Sequence, residues 1–185
     1  MNLILKMNFE QLTENYNLLG EKAKASFFGK VISVQLALYK QVSVGSIAPD
    51  FKAATLNDDT LSLHAIKAKV KLIDFWASWC GPCRGLMPKM KKLYEKYHAA
   101  GKFDILGVSK DEDRGKWLKA LEEEGMAWNN ILAKEASLED PSQFESVTGL
   151  PQMVVVDPEG NIVLSVSGSD NMDRVIETLE SVLGK

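Results

Sequence analysis

The chain has 185 residues, 45% of them hydrophobic and 25% charged, with a formal net charge of −3. That length suits one domain of moderate size with an addition, large enough to bury a core without disulfide help. The charge argues against a nucleic-acid binder, which needs a basic excess, and no apolar run approaches the length of a membrane span.

The N-terminus, MNLILKMNFEQ, is apolar for a few residues only and lacks a full secretory core and a small-residue cleavage site. The compartment is then the cytoplasm, or one reached through an export signal already removed. Residues 8–44 carry apolar side chains at helical spacing: Leu12, Tyr16, Leu19 and Ala23 form one stripe, and Phe28, Val31, Ile32, Gln35 and Tyr39 nearly form a second, interrupted by the polar Gln35. Gly20 and Gly29 are candidate breaks. Residues 1–44 therefore read as a helical arm packed on the main domain. A remnant of an upstream domain and a self-association arm are the alternatives.

The stretch VGSIAPDF, 44–51, reads as a linker into a main domain over 45–185, because Gly45, Ser46 and Pro49 cluster there. Runs at 51–56 and 60–63 flank the polar turn NDD and predict a hairpin. VKLIDFW, 70–76, predicts a buried central strand, and a helix follows from about 81 to about 99, with Leu86, Met90, Leu93 and Tyr97 on one face. FDILGVS, 103–109, is the next strand, parallel to the first through a right-handed crossover. Residues 114–124 predict a surface helix, 127–132 a short strand or loop, and 141–147 a helical turn or two. Strands at 153–156 and 162–166 are joined by DPEGN, where Pro158 presets φ and Gly160 accepts φ > 0. A last helix, 172–183, has Asp170 or Asn171 as its cap. The string predicts an α/β fold, a mixed sheet with helices on both faces.

Both cysteines of the chain fall in DFWASWCGPC, 74–83, where a buried strand gives way to a helix. The carboxyl ends of strands in open α/β sheets are where sites form. A helix N-terminus offers unpaired N–H groups and the positive end of its dipole, so Cys80 is expected to ionise more readily than a free thiol. Arg84 adds a charge nearby, and Cys83 lies within disulfide reach of Cys80. Pro82 is tolerated in the first turn, whereas Pro88 falls inside the helix and is expected to kink it. A zinc site lacks ligands, since only His64 and His98 remain, and a disulfide closing so short a loop adds little stability. A chance pair of buried thiols is the remaining alternative, and Trp-Cys-Gly-Pro-Cys at a strand-to-helix junction favours a redox dithiol over all three. Asp74, between Ile73 and Phe75, is costly to bury charged. It is either a proton acceptor for a nearby thiol or a strand-end carboxylate reaching water or a backbone N–H.

DFWASWCGPC closely resembles the active-site stretch of thioredoxins, with Pro88 at the place of that family's helix proline. GLPQMVVVDPEG, 149–160, resembles its cis-proline strand and hairpin, with Pro151 as the cis residue. The hairpin after APDF and the insertion at 111–147 resemble the bacterial envelope, TlpA/ResA-like, branch. Leu86 stands where many of that branch carry Glu, and Gln152 where Thr commonly follows the cis-proline. The peroxiredoxin pattern is absent, since Ile73 and Ala77 stand where its Pro and Thr would be.

The resemblance implies a thioredoxin fold, a central mixed β-sheet flanked by helices, carrying the N-terminal hairpin, the insertion and an added helical segment. It implies that Cys80 attacks, Cys83 resolves and Asp74 assists proton transfer at the second cysteine. Trp79 would form the rim of a contact surface shared with Gly81 and Pro82, and the backbone at Leu150, ahead of Pro151, would pair with an extended substrate segment. Trp76 reads as a core aromatic.

The expected function is reduction of protein disulfides through a mixed disulfide. An oxidase or isomerase on the same scaffold, or a redox-sensing binding module, is the alternative. The expected partners are a protein disulfide and a thiol electron donor, without nucleic acid and with self-association through 1–44 open. No metal or cofactor is expected beyond the Cys80–Cys83 disulfide. The bacterial envelope or periplasm is the expected compartment, the cytoplasm its alternative.

Overall fold

A computed structural model describes residues 9–56, 59–138, 147 and 149–184. The arm folds as α1 (Phe9–Asn17), α2 (Glu21–Lys24) and α3 (Phe27–Gln41). Gly20 breaks the chain ahead of α2, as predicted. Gly29 does not: it lies inside α3, where a Cβ would sit 2.2 Å from the Ala23 carbonyl oxygen. The backbone of α2 leaves no room there for a side chain. Because α1 stops at Asn17, the first predicted stripe is cut, and of it only Leu12 is buried. The second stripe is largely open, with Phe28 74% and Val31 50% exposed. α1 and α2 pack on α3, and Val42 at the end of α3 touches the core of the main body.

The segment read as a linker is tied down. The Gly45 N–H donates to the Ile162 carbonyl and the Ile162 N–H to the Ser46 carbonyl, both at 2.8 Å, and Ile47 bridges Asn161 antiparallel. These bonds lay residues 45–48 along the start of a later strand.

The main body holds β1 (Phe51–Ala54), β2 (Thr60–Ser62), β3 (Val70–Trp76), α4 (Gly81–Tyr97), β4 (Phe103–Ser109), α5 (Arg114–Glu124), β5 (Asn129–Leu132), β6 (Ser137–Leu138), β7 (Gln152–Val156), β8 (Ile162–Ser167) and α6 (Met172–Leu183). The main sheet runs β5-β4-β3-β7-β8, with β3, β4 and β5 parallel and β7 and β8 antiparallel. β1 pairs antiparallel with β2 as the predicted hairpin, and β6, which no local pattern announced, adds a third strand to it. The helical turns expected at 141–147 lie outside the described residues, except for Val147.

Every residue of β3 is buried, which requires cover on both faces. Alternation divides the strand between two cores. Val70 and Leu72 face α4 and α6, where Met87, Met90 and Leu93 meet Val175 and Leu179. Ile73 and Phe75 face Phe51, Ala53 and Leu63 of the small sheet and the chain around it. Among the described residues, the second face is covered by the small sheet, the chain around it and Val42 at the end of α3. Each large apolar side chain of α4 that leaves water stabilises this docking by roughly 1.5–3 kcal/mol. α4 continues through Pro88, whose ring is exposed. Asn171 stands at the start of α6, but its side chain does not cap the helix. Its amide donates instead to the Ser167 carbonyl at 2.8 Å, and a single turn of 3-10 helix leads in.

Candidate active site

β3 ends at Trp76, and the turn Ala77–Trp79 delivers Cys80 to the N-cap of α4. The Cys83 N–H donates to Cys80 Sγ at 3.3 Å, so one of the helix's unpaired donors is aimed at the first sulfur. Cys80 and Cys83 form a disulfide with their Cα atoms 5.3 Å apart. Cys80 is 5% exposed and Cys83 1%, whereas Trp79 is 68% exposed.

A cleft of about 580 Å³ brings five of the predicted residues together: Trp79, Cys80, Gly81 and Pro82 from the turn and α4, and Leu150 from the opposite side. Lys110 also lines it. Pro151 is buried next to this wall, follows a cis peptide bond from Leu150, and accepts the Gly168 N–H on its carbonyl at 2.9 Å. Cys83 and Asp74 are not part of the cleft. Cys83 packs beneath it with Trp76 and Trp117. Asp74 shares the strand face of Val70, Leu72 and Trp76, under α4. It is 1% exposed, neither carboxyl oxygen has a hydrogen-bond partner among the described residues, and burial pushes its pKa up to about 7. The alternative of a strand-end carboxylate reaching water or a backbone N–H is thereby corrected.

Arg84 does not play the part expected of it. Its guanidinium donates to Glu124 at 2.6 Å and to Glu123 at 2.8 Å, binding α4 to the end of α5. A cation so paired adds little field at Cys80, which leaves the N–H of Cys83 and the helix end as the groups favouring a thiolate.

Sequence reasoning missed the clamp that holds the cysteine turn. Asp111, buried just past the end of β4, accepts from the Ser78 N–H at 2.8 Å and the Ser78 hydroxyl at 2.6 Å. It also accepts from the Ser109 hydroxyl at 2.7 Å. One carboxylate thus fixes the residue two before Cys80. Its position at the carboxyl end of a central strand was the available signal. Among the described residues, no group of three or more His, Cys, Asp or Glu could hold a metal ion.

A chain with a disulfide at the start of a helix, a buried acid below it and an open cleft above can exchange electrons with an outside disulfide or dithiol. Comparison with known proteins points the same way. The model of the thioredoxin-like family matches residues 68–162. The thiol-disulfide oxidoreductase ResA of Geobacillus thermodenitrificans is 28% identical over 141 residues, covering 76% of this chain and 79% of that protein. The solved thioredoxin domain of a thiol-disulfide oxidoreductase from Bacteroides vulgatus is 34% identical, with a TM-score of 0.61, over 74% of this chain and 96% of that one. A thiol:disulfide interchange protein from Bacteroides sp. is 33% identical, with the same TM-score, over 76% and 92%. The chain belongs to the thioredoxin-like family, and within it is a thiol–disulfide oxidoreductase.

Proposed function

We propose that the protein reduces disulfides in other proteins. In the dithiol form, the Cys80 thiolate attacks one sulfur of the substrate disulfide. A Cys80–substrate mixed disulfide forms, and the first substrate sulfur leaves as a thiolate. Cys83 then gives its proton to Asp74 and attacks Cys80 Sγ, closing the intramolecular disulfide and releasing the second substrate sulfur. Two electrons pass from the dithiol to the substrate, and a thiol electron donor restores them. The observation that carries this reading is the aim of the Cys83 N–H at Cys80 Sγ, which favours the first sulfur as an anion. Trp79, Gly81 and Pro82 form the contact surface in this reading, and the backbone at Leu150 pairs with an extended substrate segment ahead of Pro151. No dissociable cofactor takes part.

The compartment proposed is the bacterial envelope, in keeping with the branch the sequence resembles. For residues 1–44, an arm joined to a domain over 45–185, we propose self-association, supported by the exposure of Leu18, Phe27 and Phe28.

Insulin reduction with dithiothreitol tests the activity. The wild type is expected to turn over and Cys80→Ser to be inactive, while Cys83→Ser traps the substrate on Cys80. Turnover no faster than Cys80→Ser would favour a sensing or binding module. A reduction potential near that of the strong oxidants, about −120 mV, would overturn the reductase direction in favour of an oxidase or isomerase.

A further inference from the structure

Five side chains keep polar atoms buried without a hydrogen-bond partner among the described residues: besides the indole nitrogens of Trp117 and Trp128, three lie on the α4 face of the sheet. These three contribute both carboxyl oxygens of Asp74, the indole nitrogen of Trp76 and Oδ1 of Asn130. The sheet register makes them neighbours. Asp74 pairs with Gly107 across β3 and β4, and Gly107 with Asn130 across β4 and β5. Laterally paired residues present their side chains to the same face, one strand spacing of about 4.8 Å apart.

The middle residue of that row has no side chain, and Asn130 uses the space. A Cβ on Gly107 would lie 1.9 Å from Asn130 Oδ1 and 3.2 Å from Trp76 Nε1. Asn130 Nδ2 donates to the Trp128 carbonyl at 3.0 Å, which fixes the other end of the carboxamide, the oxygen, over Gly107 and so on the Asp74 side. A buried acceptor left without a donor normally finds one, and the Asp74 carboxyl shares its row of the sheet.

We propose that Asn130 is a positioning residue for Asp74: its Oδ1, reaching across Gly107, is the acceptor that holds the proton on the Asp74 carboxyl. This rests on the reading of Asp74 as acceptor of the Cys83 proton. A carboxamide oxygen has two lone pairs and no donor. Asn130 Oδ1 has no donor among the described residues, so it is free to take the O–H of neutral Asp74, but it only repels the carboxylate and so favours the protonated acid beyond what burial does.

The other groups around Asp74 do not compete for this part. α4 presents Cys80 and Cys83 at its N-terminus, and Arg84 is turned to Glu123 and Glu124. β7 presents Met153, and α6 presents Val175 and Leu179. Lys71 alternates to the far face, and Asp111 is bonded to Ser78 and Ser109.

The test is single-turnover oxidation of the reduced protein by an aromatic disulfide across pH. The first aryl thiolate released reports attack by Cys80, and the second reports resolution by Cys83. In the wild type the second rate is expected to rise through about pH 7, where Asp74 loses its proton. Asn130→Leu removes the acceptor without admitting water and is expected to lower that midpoint by about one unit, making resolution about tenfold faster at pH 5.5. Gly107→Ala, whose Cβ displaces the Asn130 oxygen, is expected to do the same and stands in if Asn130→Leu fails to fold. Asp74→Asn is the control and should remove the step. A midpoint unmoved or raised in both variants, with the step still lost in Asp74→Asn, overturns the part given to Asn130 alone. A step that survives Asp74→Asn overturns the reading of Asp74 and this inference with it.

Discussion

Asp74 binds its proton more tightly in the folded protein than in the unfolded chain, since burial lifts its pKa from 3.8 to about 7. Below pH 3.8 both states hold the proton. Between there and about pH 7 only the folded state does, so stability falls as pH rises and levels off above. From pH 5 to pH 8 the loss is on the order of 2–3 kcal/mol. Urea denaturation of the oxidised protein at those two pH values measures it. Asp74→Asn, which cannot ionise, should flatten the dependence and be the more stable protein at pH 8 by a few kcal/mol. A variant with the same slope as wild type would mean that Asp74 titrates normally. An acid kept here at such a cost fits a proton acceptor better than a structural group. The residue type and its place before the cysteines were legible in the sequence. Its place in one row with Gly107 and Asn130 was not, because those residues lie 33 and 56 residues further along the chain.

Among the elements, the turn between β3 and α4 and the end of β4 work as one unit through Asp111. Replacing it with Ala removes three hydrogen bonds to a carboxylate and leaves the buried end of the Ser78 N–H without its acceptor. A loss of about 2–4 kcal/mol in the denaturation free energy is expected. Slower attack by Cys80 on a small disulfide should accompany it, because the turn that seats the sulfur loosens. Full stability and full reactivity in Asp111→Ala would show that the α4 end alone holds the turn. Local signals read the individual elements well. A continuous apolar run marked β3, a helical repeat marked α4, and DPEGN marked the β7–β8 turn, each within a few residues. They failed where an element depends on a distant partner: β6 is two residues long and pairs with β1, more than eighty residues before it.

On the scale of the whole molecule, the main body buries its apolar residues against two sides of one sheet, while the arm leaves Leu18, Phe27 and Phe28 to solvent. Exposed apolar side chains gathered on one part of a chain favour association. Light scattering over a range of concentrations should find wild type self-associating and the Phe27→Ser, Phe28→Ser double variant shifted to monomer, with insulin reduction by the monomer intact. Wild type that stays monomeric throughout would end the self-association reading.

The chemistry and the fold family were legible in the linear chain. Two thiols at a strand-to-helix junction, with a proline between them and an acid six residues ahead, are local facts, and period and turn residues mark elements without reference to anything distant. Which groups serve that chemistry was settled by the folding of the chain. It set Arg84 against two glutamates, brought Asp111 to Ser78, and laid Asn130 beside Asp74 across a glycine. The reason is physical: side chains from parallel strands meet by register, and register is settled by the packing of the sheet as a whole.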